Sequence, residues 1–146
     1  EEAAASYMAI KLNFKAGEHL TDEYLAVNPK GRVPALVTDD GILTETPALL
    51  IYIAQIIPES QLIPQDNPFA LARIQAFNSY LVSTVHVAHA HKLRGNRWAD
   101  QQASFDDMKQ KAPGNMQACF RLIEDELIGI GSFNSYYLPP DRVIRK

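Results

Sequence analysis

The stretch NPKGRVPALVTDDGILTETPA, residues 28–48, decides the fold. Two apolar runs, residues 33–38 and 42–44, flank an Asp-Asp-Gly turn sequence, and this arrangement predicts a β-hairpin. Thr46 followed by Pro47 predicts a helix start, because a threonine side chain can cap a helix and a proline in the first turn forfeits no hydrogen bond. A hairpin that leads directly into a helix is therefore expected here.

On the N-terminal side of this stretch, residues 7–14 alternate between apolar and polar side chains, and this period of two predicts a further strand. Residues 15–30 are polar and end in an Asn-Pro-Lys-Gly turn signal, so neither a helix nor a strand is predicted there. The apolar face of the predicted strand consists of Met8, Ile10, Leu12 and Phe14.

On the C-terminal side the pattern becomes helical. Residues 47–57 are apolar nearly all round, which predicts a helix covered on more than one side. Residues 58–68 contain three prolines and form the clearest linker in the chain. Beyond the linker, apolar residues at spacings of three and four predict one long helix that ends near Gly95. Its apolar face consists of Ala70, Ile74, Phe77, Leu81, Val85 and Ala88.

The remaining third of the chain is less regular. Residues 98–111 are weakly helical, Pro113 is predicted to open a separate helix, and residues 129–146 have neither a helical nor a strand period. The order of elements predicts the α+β class, with a small mixed unit in residues 1–60 followed by an all-α unit in residues 67–146.

Composition and charge narrow the range of functions. The 146 residues are 47% hydrophobic and 21% charged, which is typical of a soluble globular protein. The net charge of −3 and the lack of a basic block argue against nucleic acid or an anionic membrane as partners. The single cysteine, Cys119, allows no disulfide within the chain, which fits a reducing compartment.

Residues 28–48 closely resemble the central stretch of glutathione transferases, especially the bacterial ones. Ser83-Thr84-Val85-His86 and residues 94–100 also resemble a bacterial branch of that family, and the resemblance covers about residues 1–128. It implies a partial thioredoxin-like, glutathione-binding domain in residues 1–60 and a partial all-helical domain in residues 67–146. It also implies a cytoplasmic homodimer that uses glutathione as co-substrate, without a metal, in detoxification.

The resemblance implies a glutathione site at the predicted hairpin. Its Val33-Pro34 bond is expected to be cis, which leaves the Val33 backbone free to pair with the cysteinyl unit of the ligand. Glu45 suits the ammonium of the γ-glutamyl end, and Thr46 at the helix start suits its carboxylate. A plain trans proline and a helix cap without a ligand are the alternatives.

Other candidates follow from the same resemblance. Lys15 and Arg32 are candidates for the glycyl carboxylate, with a solvated lysine as the alternative for Lys15. Ser83 and His86 are expected to lie on one helix face near the thiol, where His86 could donate a hydrogen bond to a thiolate. The alternative for His86 is a half-buried histidine with a backbone partner.

A metal site is not expected, because the spacing of His86, His89 and His91 does not place the three side chains on one helix face. Cys119 is expected to be a buried structural thiol.

The sequence also departs from the family. The family's first strand and the loop that carries its thiol-activating residue are not found, and residues 129–146 lack the expected helices. We therefore expect a chain truncated at both ends, with the catalytic residue unassigned and His86 as the one candidate. The predicted reaction is conjugation of glutathione to an electrophilic small molecule. The alternative is a non-catalytic glutathione-binding or protein-interaction module of the same fold.

Overall fold

The computed structural model describes residues 2–128, and the predictions for residues 129–146 lie outside them. The chain divides into two compact units with the boundary between Asp66 and Asn67.

The first unit is built around the predicted hairpin. Strands β1 (Ala35–Thr38) and β2 (Gly41–Thr44) pair antiparallel, with Ala35 opposite Thr44 and Thr38 opposite Gly41. Helix α2 (Thr46–Ile56) follows β2 after a single residue. The hairpin and the helix are confirmed, with β1 beginning two residues later than expected.

Helix α1 (Asp22–Val27) precedes the hairpin, in a segment where no helix was predicted. The Thr21 side chain caps it by accepting a hydrogen bond from the Tyr24 N–H at 3.3 Å. Six residues are too few to display a helical period, which is why the pattern did not reveal α1. Two short 3₁₀ turns, Glu18–Leu20 and Pro58–Ser60, complete the regular elements described in this unit.

The predicted strand in residues 7–14 is wrong. Residues 4–13 have no regular hydrogen-bonded structure, and the sheet of the described chain contains only β1 and β2. Met8 is 83% exposed and Ile10 is 76% exposed, so the alternating apolar face is not buried. A strand requires hydrogen bonds to a neighbouring strand, and the described residues provide none for this segment.

Helix α2 is covered over part of its apolar surface. It buries Leu49 and Ala54, whereas Leu50 and Ile56 are both more than half exposed. The expectation that more than one side of this helix is covered stays a prediction.

The second unit is helical throughout the described residues. Helix α3 (Pro68–Tyr80) passes through a π turn, Leu81–Val85, into α4 (His86–Leu93), so the predicted long helix is confirmed as a continuous run. The Asn67 side chain caps α3 by accepting from the Ala70 N–H at 3.0 Å. A 3₁₀ turn (Gly95–Arg97) leads to α5 (Gln102–Leu122), and a second π turn occupies Ile123–Ile128.

Pro113 lies inside α5 and does not begin a helix, so the predicted break is wrong. A proline within a helix removes one backbone hydrogen bond at a cost of about 3 kcal/mol. Ala112 and Cys119 are buried along the same helix, and we infer that this packing offsets the lost bond. Cys119 is a free, buried thiol, as expected.

Small side chains let the helices of the second unit approach closely. The buried residues of α4 and α5 include alanines, and a Cβ placed on Gly95 would lie 2.9 Å from the Phe105 ring. None of the helices in the described part of the chain is both long and apolar enough to cross a membrane.

Candidate functional site

The loop before β1 is held in place by a buried asparagine. Asn28 is 1% exposed, and its Nδ2 donates to the carbonyl of Arg32 at 2.6 Å. The same carbonyl accepts a second hydrogen bond from the Tyr24 hydroxyl at 2.7 Å. Asn28 Oδ1 accepts from the Lys30 N–H at 3.2 Å, so one side chain fixes both ends of the loop. The position of Val33, next in the chain, follows from these bonds.

The same loop requires a glycine at residue 31. Gly31 has φ +59°, in the left-handed region that side chains rarely adopt. A Cβ there would lie 3.0 Å from Leu20 Cδ2 and 3.2 Å from the His19 carbonyl oxygen. A side chain at residue 31 would therefore crowd the contact that the loop makes with residues 19 and 20.

The Val33-Pro34 peptide bond is cis, as predicted. The Val33 side chain is 47% exposed, and its backbone N–H and C=O have no hydrogen-bond partner within residues 2–128. Because Ala35 is opposite Thr44, Pro34 and Glu45 extend from the same end of the hairpin. The cis bond, the open Val33 backbone and the start of α2 are thus neighbours in the fold.

Glu45 connects β2 to α2 in an unusual conformation. Its φ of 72° and ψ of 113° lie outside the regions that non-glycine residues favour. Its carbonyl accepts from the N–H groups of Ala48 and Leu49 at 3.0 and 3.1 Å, so its backbone caps the helix. Its side chain does not cap, and this leaves the carboxylate available for other partners.

Lys30 meets that carboxylate. Its Nζ donates to Glu45 Oε1 at 2.5 Å and to Thr44 Oγ1 at 2.8 Å. The hydrogen bond and the charge of Lys30 hold the pKa of Glu45 below its ordinary value, because together they outweigh the opposing effect of burial, and the charge of Arg32 lowers it slightly further. Glu45 is consequently an anion at neutral pH.

Thr46 is the first residue of α2, not its cap, so the predicted capping role is wrong. Glu45 occupies the cap position because its carbonyl accepts the first helical hydrogen bonds. The Thr46 side chain is exposed and its hydroxyl has no hydrogen bond within residues 2–128. A free hydroxyl and a free helix-terminal N–H therefore lie beside the Glu45 carboxylate.

Lys15 and Arg32 are exposed in the first unit. The Lys15 backbone N–H donates to Asn13 Oδ1 at 3.1 Å, while its side chain makes no hydrogen bond or ion pair in the described part of the chain. The charge of Arg32 contributes slightly to the lowered pKa of Glu45. Lys15 is not linked to the other candidates by any such interaction within residues 2–128.

Ser83 and His86 belong to the second unit. Ser83 lies within the π turn, and the His86 N–H closes that turn on the Leu81 carbonyl. Both side chains are exposed, and Ser83 Oγ is 3.4 Å from Thr84 Oγ1. His86 is neither half-buried nor hydrogen-bonded through its ring within residues 2–128, so the alternative of a histidine with a backbone partner does not hold.

The other histidines of α4 have different surroundings. The His91 ring lies against the indole of Trp98 with centroids 4.3 Å apart. In residues 2–128, no group of three or more histidine, cysteine, aspartate or glutamate side chains is placed to hold a metal ion.

The groups at the hairpin end are chemically complementary to a zwitterion that continues into an extended peptide. An ammonium matches the Glu45 carboxylate, a carboxylate matches the free N–H and hydroxyl of Thr46, and a peptide backbone matches Val33. The sequence pattern missed Lys30 and Asn28. Asn28 could be recognised only as a turn signal, and Lys30 is 15 residues from its partner, Glu45.

Comparison with known proteins agrees with this geometry. Residues 1–55 match the family model "Glutathione S-transferase, N-terminal domain". The chain is also 47% identical to the solved structure of a glutathione transferase homologue from Sulfitobacter with bound glutathione, with a TM-score of 0.84 over 96% of this chain. This chain belongs to the glutathione S-transferase family.

Two further relatives support the family assignment. Glutathione S-transferase 1 of Dianthus caryophyllus is 32% identical over 123 residues, which cover 84% of this chain. The structure of a sphingomonad glutathione S-transferase complexed with glutathione is 31% identical, with a TM-score of 0.71 over 88% of this chain and 61% of that one. The predicted fold class is confirmed: a thioredoxin-like N-terminal domain is followed by a helical one.

The chain covers only part of these relatives. It spans 53% of the Dianthus protein and 65% of the Sulfitobacter chain.

Proposed function

We propose that this chain binds glutathione at the hairpin end and that its reaction is conjugation of the glutathione thiolate to an electrophilic small molecule. The observation that carries the proposal is the start of α2. There an ionised Glu45 carboxylate lies beside the free N–H and hydroxyl of Thr46, at the end of the hairpin that also holds the cis Val33-Pro34 bond. Bound glutathione in the Sulfitobacter and sphingomonad relatives supports the same ligand.

Each end of the peptide has a proposed partner. The γ-glutamyl ammonium pairs with Glu45, and its carboxylate accepts hydrogen bonds from Thr46. The cysteinyl backbone pairs with the N–H and C=O of Val33. The cis bond to Pro34 leaves both of these groups without a partner in the described chain. Lys15 is proposed for the glycyl carboxylate on the strength of the family resemblance and its exposed charge.

The proposed chemistry is formation of a carbon–sulfur bond: the thiol loses its proton to solvent, the thiolate attacks an electrophilic carbon, and the electron pair displaced there leaves with a leaving group or moves onto the rest of the electrophile. The thiolate is the attacking species, so a residue that favours it over the thiol accelerates the reaction. By resemblance we propose that Ser83 and His86 face the sulfur, with His86 as the candidate donor of a hydrogen bond to the thiolate. Cytoplasmic location, a role in detoxification and a homodimer are parts of the same proposal, supported by the resemblance.

Titration calorimetry with the whole chain tests glutathione binding. Glu45→Ala removes the ammonium's partner, and loss of a hydrogen bond to a charged group should weaken binding about 10- to 100-fold. Glu59→Ala, which removes an exposed acid from the 3₁₀ turn Pro58–Ser60, is the matched control and should bind as the wild type does. Equal affinities in both variants would refute the proposed site.

Turnover separates the proposed transferase from the second candidate, a non-catalytic glutathione-binding or interaction module. That candidate is favoured by one specific feature: the groups described at the hairpin end suit the peptide, whereas the one candidate for the sulfur, His86, belongs to the other unit. Glutathione-dependent conjugation of a chromogenic electrophile, lost in Glu45→Ala, supports the transferase. Saturable binding without turnover supports the module.

A further inference from the structure

Lys30 already supplies an ammonium to the carboxylate that the proposed ligand needs. Its Nζ bonds Glu45 Oε1 at 2.5 Å and Thr44 Oγ1 at 2.8 Å. The ligand's γ-glutamyl end carries the same chemical group as the lysine side chain. Two ammonium groups that approach one carboxylate repel each other. Binding of the ligand's ammonium to Glu45 therefore weakens the ion pair between Lys30 and Glu45.

The loop fixes the backbone position of Lys30. Its backbone N–H bonds the buried Asn28 side chain, and Gly31 beside it packs tightly against residues 19 and 20. The Lys30 side chain is 43% exposed and that of Glu45 is 62% exposed, so a ligand in solution can reach both. Within residues 2–128, Glu45 Oε2 has no hydrogen-bond donor.

We propose that Lys30 is an internal counter-ion that competes with the ligand's ammonium for Glu45 and so determines how strongly the site selects peptides with a free γ-glutamyl amine. The inference rests on the proposed function of Glu45. On binding, the ligand's ammonium takes over the carboxylate, and Lys30 Nζ retains Thr44 Oγ1 and solvent. Lys30 is a specificity-determining residue in this scheme and forms no bond with the reacting sulfur.

Competition between Lys30 and the ligand's ammonium predicts that affinity for glutathione rises when the lysine is removed. An exposed ion pair contributes little, so Lys30→Met should lower the Kd for glutathione only about two- to fivefold. The analogue with a glutaryl group in place of γ-glutamyl lacks the ammonium and leaves the Lys30–Glu45 pair intact. Its Kd should therefore be the same for Lys30→Met and the wild type.

Calorimetry on the whole chain, with glutathione and the glutaryl analogue as probes, tests the proposal. Lys30→Gln repeats the loss of charge with a polar side chain, Lys11→Met removes a lysine elsewhere in the unit, and circular dichroism verifies that each variant is folded. In a Glu45→Ala background, Lys30→Met should have no effect on glutathione affinity, because there is no carboxylate to compete for.

The outcomes separate the two proposals. Tighter binding of glutathione alone, in both Lys30 variants and not in Lys11→Met, supports the competition. Weaker or unchanged binding in the Lys30 variants, or an equal change for both ligands, overturns it while glutathione binding that depends on Glu45 remains. Failure of the wild-type chain to bind glutathione, or binding indifferent to Glu45→Ala, overturns the proposed function and this inference together.

Discussion

Residues 7–14 and residues 33–44 have similar sequence patterns and different structures. Both contain alternating or continuous apolar side chains that predict strands, but only the second region pairs, as β1 with β2. The partner of Leu36 is Leu43, seven residues along the chain, and a two-residue turn brings them together. Ile10 has no strand partner within residues 2–128 and is 76% exposed. Periodicity thus indicates which side chains could share a face, whereas a strand also requires a neighbour.

The paired region has further support from the loop that precedes it. Asn28 and Gly31 fix that loop, and the loop delivers the cis Val33-Pro34 bond and Lys30 to the hairpin end. In residues 7–13 of the described chain, the comparable hydrogen bonds all involve Asn13, at the end of the segment. The difference predicts that substitutions in the loop should cost much more stability than substitutions in residues 7–12.

Gly31→Ala should have the largest effect. The new Cβ would be forced into a left-handed conformation against a backbone oxygen at 3.2 Å and a leucine side chain at 3.0 Å. We expect the free energy of unfolding to fall by about 2–4 kcal/mol, because the backbone is strained and the packed loop is displaced. Native-state hydrogen exchange of the β1 and β2 amides would measure this loss of stability in the hairpin itself.

Gly17→Ala is the matched control for this substitution. Gly17 also has a positive φ, of 77°, but a Cβ added there would have no neighbouring atom within 4 Å. Strain alone should cost about 1 kcal/mol. Equal losses at residues 17 and 31 would contradict the proposed role of close packing at Gly31.

Asn28→Ala should have the next largest effect. It removes the Nδ2 donor to the Arg32 carbonyl and the Oδ1 acceptor of the Lys30 N–H, both at a site that is 1% exposed. Loss of buried hydrogen bonds should reduce the free energy of unfolding by about 1–3 kcal/mol, measured by the same hydrogen exchange.

Tyr24→Phe calibrates that loss. It removes the second donor to the same carbonyl, at 2.7 Å, and leaves the Asn28 bond in place. Loss of this single hydrogen bond, which water near the surface can replace, should lower the free energy of unfolding by about 0.5–1.5 kcal/mol. A larger loss in Tyr24→Phe than in Asn28→Ala would show that the tyrosine, not the asparagine, fixes the loop.

The features that could be predicted from the sequence are local ones. A turn between two apolar runs predicted the hairpin, and a threonine and a proline predicted the start of α2. The same local pattern misassigned the cap to Thr46, because the strained backbone of Glu45 is not visible in residue types. The cis bond at Pro34 followed from the family resemblance and not from the pattern.

The features that could not be predicted depend on distant contacts. Pro113 lies inside a helix that buries Ala112 and Cys119, and such packing is not visible to a local rule. Lys30 reaches Glu45 across the hairpin end, at a separation that no helical or strand period describes. Ser83 lies inside the π turn Leu81–Val85, which no residue pattern predicted, and its shared face with His86 stays a prediction.

Ile10→Ser should have the smallest effect and is the sharpest test of the comparison. A side chain that is 76% exposed loses little buried surface when shortened, so stability should change by less than about 0.5 kcal/mol. Leu43→Ser, in the partly buried part of β2, is the control and should cost about 1–3 kcal/mol. A cost at Ile10 as large as that at Leu43 would mean that residues 7–14 bury their apolar face in solution. The period of two in that segment would then indicate a paired strand after all, and the difference between the two regions would no longer be one of pairing.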